Sequence, residues 1–398
     1  MRMLFLHPKT LVDSWPFPVD TLGEVVKAPS AVYPILAAAI ADLPFEIEIF
    51  DGYVTRETLP NYRRRLAGAD VIAISIMSPL KALDTELTIR LARAINPSVR
   101  IVVGGNHATA FPERWIDCGV DFVVTGEGEI AFRHLAEALL GRAEFADVPN
   151  LVYRSGAGVI RNAQVAPTLV LDESPMPRWD LMDLDPYGLG TVRRGRCAAV
   201  EISRGCPHRC DFCNINTYWG YRQRYKSVER VVEELDRLHR LGVREFIFTD
   251  DNFAHDHAHT TRLLEEMIRR DFRFGFGSFL RGDTVRRNPE FAADAKTLGF
   301  YPRPEAGNAP HGAGEADGRD AEAVHARHRL RRWGGRHRGQ CQATRLHRPG
   351  GDQAQSHAAA MESLQPVDGT EEVGEEGGDR PGHDLVDEDL VEDFLRRR

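Results

Sequence analysis

Three cysteines crowd into eight residues. Cys206, Cys210 and Cys213 lie in the string Glu201-Ile202-Ser203-Arg204-Gly205-Cys206-Pro207-His208-Arg209-Cys210-Asp211-Phe212-Cys213-Asn214, with the spacing C-x3-C-x2-C. An apolar run at Ala199–Ser203 precedes them and reads as a β-strand, so the thiols share one short loop. Three thiolates this close can hold three irons of a cubane [4Fe–4S] cluster and leave the fourth open to a small chelating ligand. Structural zinc is the other reading, with Cys197 or His208 as fourth ligand. Zinc sites of that kind prefer four ligands in two pairs, and this spacing matches no common zinc ribbon. Six cysteines in 398 residues are too few for a disulfide scaffold, and their crowding points to metal chemistry in a reducing compartment.

The elements that must position this loop are legible from periodicity. Met3–Leu6, Glu46–Phe50, Val71–Ile76, Ile101–Val103 and Phe122–Val124 are short, β-branched and almost continuously apolar, as buried parallel strands are. Between them Leu83, Leu87, Leu91 and Ile95 predict one helix face, ended by Pro97. Beyond the cysteines, Ser227 caps a helix whose apolar stripe is Val228, Val231, Val232, Leu235 and Leu238, and Gly242 stops it. Strands follow at Glu245–Phe248 and near Phe274–Phe279. The fold class is therefore α/β. A Rossmann-like parallel-sheet domain spans 1–141, a linker 142–195 and a partial βα barrel 196–300. Ligands of such sheets bind beyond the carboxyl ends of the strands.

The pattern C-x3-C-x-Φ-C, with Phe212 before the last cysteine, resembles the signature of the radical S-adenosylmethionine (SAM) superfamily. With a Rossmann-like domain in front, residues 1–300 resemble the class with an N-terminal cobalamin (B12)-binding domain. The resemblance implies a [4Fe–4S] cluster on Cys206, Cys210 and Cys213, with Phe212 beside it and SAM chelating the open iron. Reductive cleavage of SAM would give a 5′-deoxyadenosyl radical that takes hydrogen from an unreactive C–H bond. It also implies that Asp250 and Asp251 meet the SAM amino group; an Asx turn capping the next helix is the plainer reading of that pair. Arg281 either pairs with the SAM carboxylate or is a solvated loop arginine. In Tyr218-Trp219-Gly220-Tyr221-Arg222 the aromatics are expected to pack rather than bind.

In the N-terminal domain the resemblance places Gly104 and Gly105 near a corrin and its nucleotide tail, where glycine permits close backbone approach. Ser75 and Ser78 lie at the neighbouring strand-end, with hydroxyls suited to that tail. Gly126-Glu127-Gly128-Glu129 recurs in this class, or is an ordinary strand-to-helix turn. The D-x-H-x-x-G motif of many cobalamin domains is missing from His7 to Gly23. His7 and His107 are expected to be structural, and bound cobalamin would carry no histidine on cobalt. The alternative is a domain that keeps the fold without the cofactor. The implied reaction is methyl transfer to an unactivated carbon. Oxidative cyclisation or rearrangement of tetrapyrrole type is the alternative, and a non-catalytic product of a damaged gene is a third reading.

Residues 301–398 differ in kind: they contain no isoleucine and no lysine, with a basic stretch at Arg319–Arg348 and an acidic one at Asp368–Asp393. That composition predicts a low-complexity, disordered tail. The barrel is expected to be truncated where Tyr301-Pro302-Arg303-Pro304 replaces a fourth strand, through a frameshift near residue 300 or a genuine tail. Lys plus Arg is 51 and Asp plus Glu 59, a formal charge of −8. This argues against broad binding to nucleic acid or anionic membrane. The longest apolar run, Ala31–Ala41, contains Pro34 and is too short to span a bilayer. The expected setting is cytoplasmic, with a small-molecule substrate and a reducing partner such as flavodoxin or ferredoxin.

Overall fold

The computed structural model describes residues 1–9, 28–52, 54–55, 58–156, 158–165, 170–188, 196–211, 213–270, 272, 275–280 and 300–304. All belong to one unit, Met1–Asn308. Arg281, Phe212 and the residues after 304 lie outside the described residues.

The N-terminal strands are β1 (Arg2–His7), β2 (Glu46–Asp51), β3 (Val71–Ser75), β4 (Arg100–Gly104) and β5 (Phe122–Val124), close to the spans read from periodicity. Five helices lie among them: α1 (Val32–Ala39), α2 (Leu59–Gly68), α3 (Ala82–Ile95), α4 (Asn106–Ala110) and α5 (Pro112–Asp117). A sixth, α6 (Gly128–Leu139), follows β5. Strands β1 to β5 are parallel, in the order β2-β1-β3-β4-β5.

The sheet does not stop at Gly141. β6 (Leu151–Ser155) and β7 (Gly158–Arg161) add an antiparallel hairpin to its edge and make it seven-stranded. Further along the expected linker, Trp179, Leu184 and Tyr187 are buried in the core of the second sheet. From there Tyr187 donates a 2.7 Å hydrogen bond to Asp51, at the end of β2.

The second sheet is wholly parallel, in the order β13-β12-β11-β8. Its strands are β8 (Arg196–Val200), β11 (Val243–Phe248), β12 (Gly275–Leu280) and β13 (Phe300–Pro304). Two differences from the sequence reading stand out. First, β8 starts three residues earlier than expected and ends at Val200; its buried Cys197-Ala198-Ala199 segment is small rather than strongly apolar. Second, Phe300–Pro304 does form a fourth strand, with Phe300 opposite Phe276. Prolines fit there because an edge strand has one side free of ladder bonds. A two-stranded ribbon, β9 (Ser203–Arg204) with β10 (Arg224–Tyr225), brackets the cysteine loop. α7 (Ile215–Trp219) lies within that bracket.

α8 (Val228–Arg240) follows the expected pattern. Ser227 Oγ accepts from Arg230 N at 3.2 Å, and Val231, Leu235 and Leu238 are buried against Phe246 and Phe248. α9 (His257–Arg269) packs beside it through Leu263, Leu264 and Met267. α3 forms where expected but is rotated: Ile89, Leu91 and Ala92 face the core, whereas Leu83 is 49% exposed. Tyr62 packs on the buried face, where its hydroxyl bonds Thr88 at 3.1 Å.

These two helices give a paired test. Leu235→Ala removes a fully buried side chain and should cost about 2–5 kcal/mol. Leu83→Ala should change stability by less than about 0.5 kcal/mol. Urea unfolding of the two variants checks this, and equal losses would refute the burial pattern.

Candidate active site

The carboxyl ends of both sheets face one cavity of ≈ 280 Å³. From the first sheet come Ser75 at the end of β3, Gly104 and Gly105 at the end of β4, and Gly126 after β5. From the second come Glu201, Ser203 and Arg204 after β8, and Thr249 and Asp251 after β11. The wall between these rims is mostly aliphatic and aromatic, including Tyr33, Val103 and Phe132.

Of the residues the sequence singled out, Ser75, Gly104, Gly105 and Asp251 line the cavity, and Ser78 and Asp250 do not. Ser78 precedes a short 3-10 turn, where its carbonyl accepts from Lys81 N. Gly105 has φ +91°, and a Cβ there would press on Ile76 O at 2.8 Å and Ser75 Oγ at 3.0 Å. Its glycine requirement thus comes first from the neighbouring strand-end. Ser75 Oγ and Asn106 Oδ1 are buried without a hydrogen-bond partner. Unmet polar atoms on a cavity wall are what a polar ligand would satisfy, so this rim fits the polar groups of a nucleotide tail.

Asp250 and Asp251 separate into different tasks. Asp250 is 1% exposed and accepts from Ser203 Oγ at 2.6 Å and from Ile202 N at 3.2 Å. It clasps the end of β11 to the loop after β8. It does not cap the next helix; Asp256 does, accepting from His259 N at 3.0 Å. Burial pushes the Asp250 carboxyl up to about 8, with the nearby Glu201 charge adding to it, against the hydrogen bonds from Ser203 and Ile202. Asp251 is half-buried at the cavity, where a carboxylate suits an ammonium.

The cysteines lie just beyond this wall. Cys206, Cys210 and Cys213 are each partly exposed and form no disulfide. The Cys206 thiol is raised by burial, and it also senses Asp251, Cys213 and Cys210, so the three thiols share one neighbourhood. Among the described residues no three His, Cys, Asp or Glu side chains converge as ligands to a single ion. Ligands to three separate irons of a cubane need no such convergence, so the donor set fits the cluster. Cys197 is fully buried in β8, with its thiol pushed far up by burial, which withdraws it as a fourth ligand.

The sequence reading missed the ion network at the back of the loop. Arg204, 4% exposed, donates to Glu201 at 2.9 Å, to Glu127 at 3.2 Å and to Glu129. Arg224 reaches the same Glu127. Burial alone would raise the Glu129 carboxyl, but Arg204 outweighs it and holds it below its ordinary value. Tyr218 donates to Gly126 O at 2.6 Å, and Trp219 lies 5.1 Å from the Arg204 guanidinium; both rings also line the cavity. The Gly-Glu-Gly-Glu turn was visible in the sequence. Its destination was not, because Arg204 lies 75 residues further on.

The fold and site define a chain with a nucleotide-type parallel sheet joined to a βα sheet that presents three thiols. Residues 27–136 match the B12 binding domain model, and residues 200–303 match that of the radical SAM superfamily. The chain thus carries a match to the B12 binding domain followed by a match to the radical SAM superfamily domain. It is 36% identical over 215 residues to an uncharacterized methyltransferase of Pyrococcus horikoshii, covering 52% of this chain and 46% of the relative. It is 32% identical to the hopanoid C-3 methylase of Methylococcus capsulatus, over 75% of this chain and 56% of that one. Anaerobic magnesium-protoporphyrin IX monomethyl ester cyclase of Cereibacter sphaeroides is 28% identical over 76% of this chain and 48% of its own. The chain spans about half the length of the curated relatives it matches. The fold is shared with the radical SAM methyltransferase TsrM of Kitasatospora setae, solved with cobalamin and a [4Fe-4S] cluster. That match has a TM-score of 0.57 at 20% identity, over 75% of this chain and 57% of TsrM.

The Asp250 clasp sets a pH dependence. Its folded pKa lies above its unfolded value, so the folded state holds the extra proton between about pH 4 and about pH 8. Its contribution to stability is full below that window and is lost as pH rises through it, by up to about 1.4 kcal/mol per pH unit. Asp250→Asn should flatten the fall in unfolding midpoint across this window. A slope unchanged from the parent would show that Asp250 is ionised in the fold.

Proposed function

We propose that this chain uses a [4Fe–4S] cluster, SAM and cobalamin to transfer a methyl group to an unactivated carbon of a small molecule. The observation that carries it is the single cavity shared by the two strand-end rims, with the cysteine loop anchored at its wall. When bound, the cluster supplies the electron that splits SAM into methionine and a 5′-deoxyadenosyl radical, and the corrin supplies a methyl group. Cys206, Cys210 and Cys213 would hold the cluster. Asp251 and Thr249 offer acceptors to an amino group at the cavity, while Ser75 and Asn106 offer oxygens to a nucleotide tail. The aliphatic and aromatic wall limits water near a radical, which is the protein's main contribution in such chemistry. The electron comes from a small reducing partner of flavodoxin or ferredoxin type. Oxidative cyclisation is the second reading, favoured by the cyclase relatives.

Anaerobic reconstitution with iron and sulfide, followed by electron paramagnetic resonance of the reduced full-length chain, tests this proposal. The expected result is a cubane signal that changes when SAM is added, with 5′-deoxyadenosine formed on turnover. Replacing Cys206, Cys210 and Cys213 together by alanine should remove the signal and the product. A cluster indifferent to SAM, or none at all in the parent chain, would overturn the reading. Methylated product in place of a ring-closed one separates the two reactions.

A further inference from the structure

The buried network around Arg204 calls for a reason beyond stability. It gathers the carboxylates of Glu127, Glu129 and Glu201 around the guanidinium groups of Arg204 and Arg224. Removing such charges from water costs several kcal/mol per ion, and apolar side chains of similar volume often serve stability as well or better. What an ion network adds is direction. A planar guanidinium bonded along several edges has one allowed orientation.

That orientation passes straight into the cysteine loop. Gly205 follows Arg204 with φ +91°, and a Cβ there would collide with the Arg222 carbonyl. Cys206 comes next. Glu127 lies in the turn after β5 and Glu129 in the first turn of α6, beside the rim formed by Ser75 and Gly105. One side chain thus joins the strand-end of the first sheet to the first thiol of the second.

We propose that Arg204 is a positioning residue: held by Glu127 and Glu129, it fixes the cysteine loop relative to the first sheet and so sets the separation between cluster and corrin. The second half of this statement rests on the cofactor reading above; the first half does not.

Hydrogen exchange on the cofactor-free, full-length chain tests the clamp itself. In Glu129→Gln, amides of 205–213 should exchange about ten-fold faster or more, as loss of a charged hydrogen bond implies, while those of α8 keep their rates. Unchanged rates, or a rise spread evenly over both sheets, would overturn the proposal. Should Glu129→Gln fail to fold, Arg204→Lys carries the test: it keeps the charge, loses the planar fork and should show the same local acceleration.

In the loaded protein the readout is magnetic. Both variants should bind cluster and cobalamin at the parent's stoichiometry, yet the broadening of the cob(II)alamin signal by the reduced cluster should change. Identical broadening in parent and variants would overturn the spacing role. A parent that takes up neither cofactor would defeat the cofactor reading, while the exchange result still judges the clamp.

Discussion

Strand direction is the constraint on which the site depends. In a parallel sheet every strand ends on the same side, so the loops after β3, β4 and β5 gather at one rim. The same holds for β8 and β11 in the second sheet. The two rims meet at one cavity, and few residues are then needed to close the arrangement. Tyr187 reaches from the second core to Asp51 at the end of β2, and Arg204 reaches to the turn after β5. Tyr187 starts from an irregular segment and ends on the last residue of β2, whereas Arg204 starts from β9 and ends on Glu127 and on Glu129 at the start of α6.

The two buried carboxyl sites around β8 solve opposite problems. Asp250 has hydrogen-bond donors but no cation beside it, so burial favours its neutral form. Glu129 is as deeply buried, yet Arg204 holds it ionised. The difference is a single guanidinium. It lets the residue before Gly205 act as a cationic anchor, while Asp250, at the other side of Ser203, ties the same loop with nearly neutral bonds. The cysteine loop is thus fixed at its root by two chemically distinct clasps.

Much of this was legible in the sequence. Apolar runs of three to six residues located β1 and β3 to β5, because a strand buried on both faces must be largely apolar, while β2, at the end of the sheet order, alternates glutamate with isoleucine. The cysteine spacing marked the loop, since close thiols have few other uses. Long-range placement was less legible. Leu83 matched a helix period but points to solvent, because Tyr62 of α2 bonds Thr88 and holds that face of α3 against the core. The hairpin β6–β7 was hidden in a polar connector, as an edge needs only one apolar face. Asp250 and Asp251 looked equivalent side by side, and only the course of the chain after β11 sends one inward and the other to the cavity.

The histidines of the first 141 residues bear on what kind of corrin site this can be. They are His7, His107 and His134. His7 pairs with Asp51 at 3.3 Å. His107 accepts from Trp115 Nε1 at 3.2 Å, with burial holding its pKa below the ordinary value. His134 is exposed on α6. None lines the cavity, and the stretch from residue 8 to residue 106 contains no histidine at all. The wall on this side of the cavity presents glycine backbone and aliphatic side chains beside its serine and asparagine oxygens. The rim of the first sheet offers Ser75 and Asn106 oxygens that would serve hydrogen bonds to a polar tail.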